Sequence, residues 1–110
     1  MNLNGRFYFL LTTSGNLFGE FSNNFELINT TESADRVLGA RNSFIGTYIS
    51  TWQESGNPFI ADLIVAPLPE GTNVFTLEWI VRNGNNIHFW GEAFLAGDML
   101  IGNYADTPLR

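Results

Sequence analysis

Leu17-Phe18-Gly19-Glu20-Phe21 is the stretch on which the fold turns, because its pattern of two apolar residues, Gly, any residue and an aromatic comes back. It returns as Phe44-Ile45-Gly46-Thr47-Tyr48 and as Leu100-Ile101-Gly102-Asn103-Tyr104. Phe89-Trp90-Gly91-Glu92-Ala93 is a looser copy with Phe94 one place late, and Leu3-Asn4-Gly5-Arg6-Phe7 keeps only the second half. Glycine inside a strand marks a bend, a bulge or a close backbone approach. Strands bent at similar points suit a small closed barrel.

Working outward from these copies, the punctuation is that of hairpins. Turn-forming clusters lie at Thr13–Asn16, Ser22–Asn24, Glu54–Pro58, Pro67–Gly71, Asn83–Asn86 and Ala96–Asp98. They separate strand candidates at Arg6–Leu11, Leu17–Phe21, Ser43–Trp52, Phe59–Val65, Val74–Arg82, Ile87–Leu95 and Met99–Ala105. A short strand at Phe25–Ile28 brings the number to roughly eight. Helical periodicity is almost absent; Thr31–Arg41, with Thr31 or Ser33 as cap and Gly39 as stop, reads as a helical turn or two, or as a loop. Short links join antiparallel neighbours, and about eight such strands close on themselves and remove their edges. The expected fold is therefore all-β, an antiparallel up-and-down meander closing into a roughly eight-stranded barrel, with 1–110 as one domain.

Composition narrows the function classes. The chain of 110 residues carries a formal charge of -6, has ten Phe, three Trp and three Tyr, and contains neither Lys nor Cys. Its five basic residues, Arg6, Arg36, Arg41, Arg82 and Arg110, are scattered, whereas a phosphate-binding surface clusters them. Nucleic acid is thus not an expected partner, and the acidity argues against anionic membranes. The apolar runs are too short for a membrane helix. No basic–apolar–small order follows Met1, and without Cys the expected compartment is cytoplasmic.

Alternation within a strand sets which side chains share a face. If each motif glycine faces inward, so do Leu17, Phe21, Phe44, Tyr48, Phe89, Ala93, Leu100 and Tyr104. Phe18, Ile45, Trp90 and Ile101 then face outward, and an apolar outer wall predicts an interface in a homo-oligomer. The hairpin after Val74 has two registers. A two-residue Gly84-Asn85 turn sets Trp79 opposite Trp90; a slip of one residue pairs the Trp79 face with Phe89 and Gly91. The glycine repeat favours the second.

At this point the chain resembles the calycins, and within them the avidin and streptavidin family. Leu3-Asn4-Gly5-Arg6-Phe7, Gly46-Thr47-Tyr48-Ile49, Phe75-Thr76-Leu77-Glu78-Trp79 and Phe89-Trp90-Gly91-Glu92-Ala93-Phe94 carry the likeness, in the family's order and with comparable spacing. The resemblance implies that Tyr48, Trp79 and Phe89 line a cavity inside the barrel, with Phe7 at the opening position and Tyr104 in the last strand. Arg82, beside the Asn-rich turn, is an anion-binding candidate at the mouth. Phe7 and Tyr104 stand where the family has Trp, and Tyr8-Phe9-Leu10-Leu11 replaces a polar position. Too few polar groups remain to pair the buried atoms of biotin.

Catalytic signals are weak. His88 is the single histidine; it reads as a surface residue near a turn or as a cross-strand partner of a carboxylate such as Glu78. Glu20, Glu78 and Glu92 are strand glutamates, which ordinarily sit on a solvated face. One His and no Cys do not make a metal site. No catalytic residue, metal ligand or cofactor is assigned. The leading expectation is non-catalytic binding of a small, largely apolar ligand inside an oligomeric barrel. The alternatives are an enzyme or chaperone-like protein acting on a ligand in the barrel, and an oligomeric scaffold with a filled core.

Overall fold

The computed structural model describes residues 2–69, 73–84 and 86–109. Its strands are β1 (Asn4–Leu11), β2 (Leu17–Asn23), β3 (Thr30–Leu38), β4 (Gly46–Glu54), β5 (Asn57–Pro67), β6 (Val74–Val81), β7 (His88–Ala96) and β8 (Met99–Ala105). Each pairs antiparallel with the next, and β8 returns to β1, so the meander closes into an eight-stranded barrel compatible with a calycin-like fold. Two of the expected turns run partly through Glu70, Gly71 and Asn85, which lie outside the described residues.

Two sequence expectations need correction, and both concern one segment. Thr31–Arg41 holds no helix: it supplies most of β3, which pairs with β2 and β4. Phe25–Ile28 is not a strand. The Asn23 side chain ends β2 by accepting hydrogen bonds from the backbone N–H groups of Phe25 and Glu26, both at 2.8 Å. Such an Asx turn gives the chain an alternative to the ladder. Phe25, Leu27 and Ile28 are left exposed in the link to β3.

The inner face follows the glycine copies. Leu17, Phe21, Tyr48, Ala93, Leu100 and Tyr104 are buried, while Phe44 and Phe89 are half-buried. Phe18, Ile45 and Ile101 are exposed; Trp90 is half-buried and stacks on His88 at 3.9 Å between ring centroids. In the β6–β7 hairpin Trp79 lies opposite Phe89 and Leu77 opposite Gly91, the register the repeat favours. Missing side chains also make room for rings. A Cβ on Gly5 would lie 2.2 Å from the Tyr104 ring, and one on Gly91 would lie 3.0 Å from the Trp79 ring. The aromatic core therefore packs against bare backbone at these two points.

One barrel end is closed by Arg36. Its guanidinium lies 4.8 Å above the Tyr48 ring centroid. Nε donates to Gly15 O at 2.8 Å, Nη1 to Ile45 O at 3.1 Å, and Nη2 to Ser43 O. Tyr48 Oη in turn donates to Phe44 O at 2.7 Å. One side chain thus ties the β1–β2 turn to the neighbouring β3–β4 link.

Candidate functional site

The opposite end carries the start of β1, the end of β8 and the β2–β3, β4–β5 and β6–β7 links. There the barrel opens into a pocket lined by Leu3, Phe7, Phe21, Asn23, Glu32, Trp52, Glu54, Trp79, Phe89 and Tyr104. Its free volume is about 30 Å³. That is room for roughly two water molecules, so the rings nearly fill the interior behind the mouth.

Rings form the walls. Phe7 meets Trp79 edge to face at 5.3 Å and 83°, Phe89 meets Tyr104 at 5.8 Å and 90°, and Phe21 meets Trp52 at 6.1 Å and 83°. In such pairs the edge of one ring meets the face of the other, a geometry its quadrupole favours.

Glu32 is the group that stands out. It is 4% exposed, points inward from β3, and lines the pocket. Its Oε2 accepts from Ser50 Oγ at 2.5 Å and from Trp79 Nε1 at 2.8 Å. Burial disfavours the charged form and pushes the carboxyl up to about 7, against the opposing pull of those two hydrogen bonds. Around it, Trp52 Nε1 donates to Glu54 Oε2 at 2.8 Å, and Asn23 Nδ2 donates to Tyr104 Oη at 3.0 Å. Tyr104 is pushed up to about 12, chiefly by burial, with the charges of Glu32 and Glu54 adding to the effect.

Of the residues singled out in the sequence, Phe7, Trp79, Phe89 and Tyr104 meet on this one pocket. Tyr48 does not; it lies toward the closed end beneath Arg36. Arg82 is exposed on the outer surface and pairs with Asp62 at 2.6 Å. His88 Nε2 lies 2.7 Å from Glu78 Oε2, the cross-strand partner considered above, but on the outer face and away from the pocket. Glu20 is also outward, its Oε1 accepting from Tyr8 Oη at 2.6 Å. Sequence reasoning missed Glu32, Glu54, Asn23 and Trp52. The signal for Glu32 is simple alternation, available once Thr30–Leu38 is read as a strand: Glu32 and Ala34 share the buried face.

The four outward apolar residues do not form one surface. Phe18 and Ile101 belong to a band on β2, β1, β8 and β7 with Leu10 and Phe94, since Leu10 pairs with Phe18 and Ile101 with Phe94. Ile45 precedes β4, on another side of the barrel, and Trp90 is covered by His88. No protein-family model matches the chain, and neither a curated protein nor a solved structure matches it significantly.

Proposed function

We propose that this protein is a non-catalytic receptor for a small, largely apolar molecule, held at the open end of a calycin-like barrel. The observation that carries the reading is Glu32. A carboxyl buried among rings costs stability whenever it ionises, and an apolar residue at that inward position suits a barrel core better. Such a departure from core logic, inside a pocket, is where function is sought. The avidin-like pattern agrees in part, because Phe7, Trp79 and Phe89 stand on the pocket that likeness implies. The single His lies outside the pocket, on the outer face with Glu78, so binding is preferred to catalysis.

The test uses the intrinsic fluorescence of the pocket tryptophans. Phenylethanol and phenethylamine, each with one ring and a short polar tail, are titrated into the protein. At least one is expected to give a saturable change, and Trp52→Ala is expected to weaken it at least about tenfold, the loss for a ring wall of roughly 1.4 kcal/mol. A filled scaffold is the second reading, favoured by the small free volume; it predicts no saturable change with either compound.

We also propose that the Phe18–Leu10–Ile101–Phe94 band is the contact between copies. An outer-face apolar band with Phe18, Phe94 and Ile101 exposed and Leu10 half-buried beside them suits a self-complementary surface. Light scattering is expected to show an oligomer that Ile101→Glu converts to monomer. A monomeric wild type removes the proposal.

A further inference from the structure

We propose that the head group this pocket takes is a protonated amine, of the size of a primary ammonium, in preference to a neutral hydroxyl or a carboxylate. The inference rests on the reading of the open end as a ligand site and adds the chemical class of the ligand.

Charge is the first argument. Among the described residues, two carboxyl groups, Glu32 and Glu54, line the pocket, and no Arg or His does. Of the four described arginines, Arg36 is at the closed end, Arg82 is held by Asp62, and Arg6 and Arg41 are exposed outside. When both carboxyls are ionised, an anionic head group would meet two like charges with no cation among the described lining residues to offset them, a penalty that a partly dry site enlarges. A cation meets attraction from both.

Hydrogen bonding is the second. Three N–H donors of the pocket are engaged: Trp79 Nε1 on Glu32, Trp52 Nε1 on Glu54, and Asn23 Nδ2 on Tyr104, whose hydroxyl keeps its own hydrogen to donate. Both hydrogen bonds to Glu32 fall on Oε2, and neither on Oε1. A carboxylate offers about four lone-pair sites. The pocket therefore has acceptor capacity to spare and few donors, and a ligand head must bring donors of its own. An ammonium brings three together with a charge, which makes the bonds to carboxylate the strong kind.

The third argument is the rings. Phe7, Phe21, Trp52, Trp79, Phe89 and Tyr104 surround the carboxyl, and several meet edge to face. Ring faces attract cations, most strongly when both are out of water. The free volume of the whole pocket, about 30 Å³, suits a head group of the size of an ammonium and its first carbon, so the apolar body of the ligand has to lie outward of the rings at the mouth. Among the described residues, the titratable groups that line the pocket with Glu32 are Glu54 from β4 and Tyr104 from β8, and Ser50, Trp52 and Trp79 stand beside it.

Three compounds of one shape decide the matter: phenethylamine, phenylethanol and phenylpropanoate, titrated near pH 8 where Glu32 is ionised. The amine is expected to bind at least about tenfold tighter than the alcohol, a difference of roughly 1.4 kcal/mol, with the carboxylate weakest. Glu32→Gln keeps an acceptor for Ser50 and Trp79. It is expected to bring the amine-to-alcohol ratio close to one while the alcohol's affinity changes by less than about threefold. Should that variant not fold, Glu54→Gln lowers the same ratio from the mouth, and the wild-type series already decides. If the alcohol or the carboxylate matches the amine, the amine assignment is overturned while the ligand site stands. If none of the three saturates, the ligand site itself falls.

Discussion

Gly102→Ala is expected to lose about 3 kcal/mol of stability or more, the range in which a domain of this size unfolds or accumulates poorly. A Cβ at this position would lie 1.9 Å from Glu92 O and 2.7 Å from Ala93 Cα. Both are backbone atoms of β7, so no side chain can rotate away and the β7–β8 ladder has to open. Gly19 is the same device on the other side of β1, with its Cβ 1.8 Å from Tyr8 O. These two glycines flank β1 from β8 and β2, where the barrel closes on its first strand. Gly97 supplies the contrast. It has a φ of +66° in the β7–β8 turn, and a Cβ there meets nothing within 4 Å. Gly97→Ala pays only for the left-handed backbone, about 1–2 kcal/mol. Urea unfolding of the three variants checks the order: equal, small losses at all three sites would mean that the inner glycines do not set the bend.

Glu32→Gln is expected to stabilise the protein at alkaline pH and to flatten its pH dependence. The folded-state carboxyl is pushed up to about 7 from an ordinary value of 4.5, so the folded state prefers the neutral acid. The stabilising contribution of that neutral form is fully present below the unfolded value. It is lost as pH rises through the folded one, over a window from about 4.5 to 7. The gap corresponds to roughly 3 kcal/mol across that window. Glutamine does not titrate and keeps an acceptor for Ser50 and Trp79, though its amide must find an acceptor in turn. The net gain near pH 8 is therefore set at about 2 kcal/mol, or a melting temperature higher by roughly 10 °C. Denaturant unfolding at several pH values reads both effects. A wild-type stability that is level from acid to alkaline pH, or a variant with the same slope, contradicts a carboxyl held out of water.

The two variants also show what the sequence made legible and what it hid. Each glycine copy sits where neighbouring backbone or a ring comes closer than a Cβ allows, and turn residues separate the copies, so the meander and its inner face could be read. The β6–β7 register followed from the same rule, because Gly91 had to share a face with Trp79. β3 escaped the reading because its inner face is polar at both ends. Glu32 and Arg36 flank Ala34, and Thr31, Ser33 and Asp35 occupy the outer face. A strand with polar residues on both faces shows no alternation of apolar and polar residues. Its Thr, Ser and Gly then mimic the start and stop of a helix. The site was half hidden for the same reason. The pocket rings Phe7, Trp79, Phe89 and Tyr104 lie on strands that announce themselves, whereas Glu32 lies on the one that does not. Tyr48 shows the reverse error: the likeness that drew attention to it carries no information about Arg36, which covers its ring at the closed end.

The account turns on the open barrel end being a ligand site, and the three tryptophan indole N–H resonances test that most directly. Trp79 Nε1 donates to Glu32 and Trp52 Nε1 to Glu54 inside the pocket, whereas Trp90 stacks on His88 outside it. In a nitrogen–proton correlation spectrum titrated with phenethylamine and then with phenylethanol, the Trp79 and Trp52 signals are predicted to shift to saturation while Trp90 stays in place. Movement of Trp90 alone, or of none of the three, would contradict it.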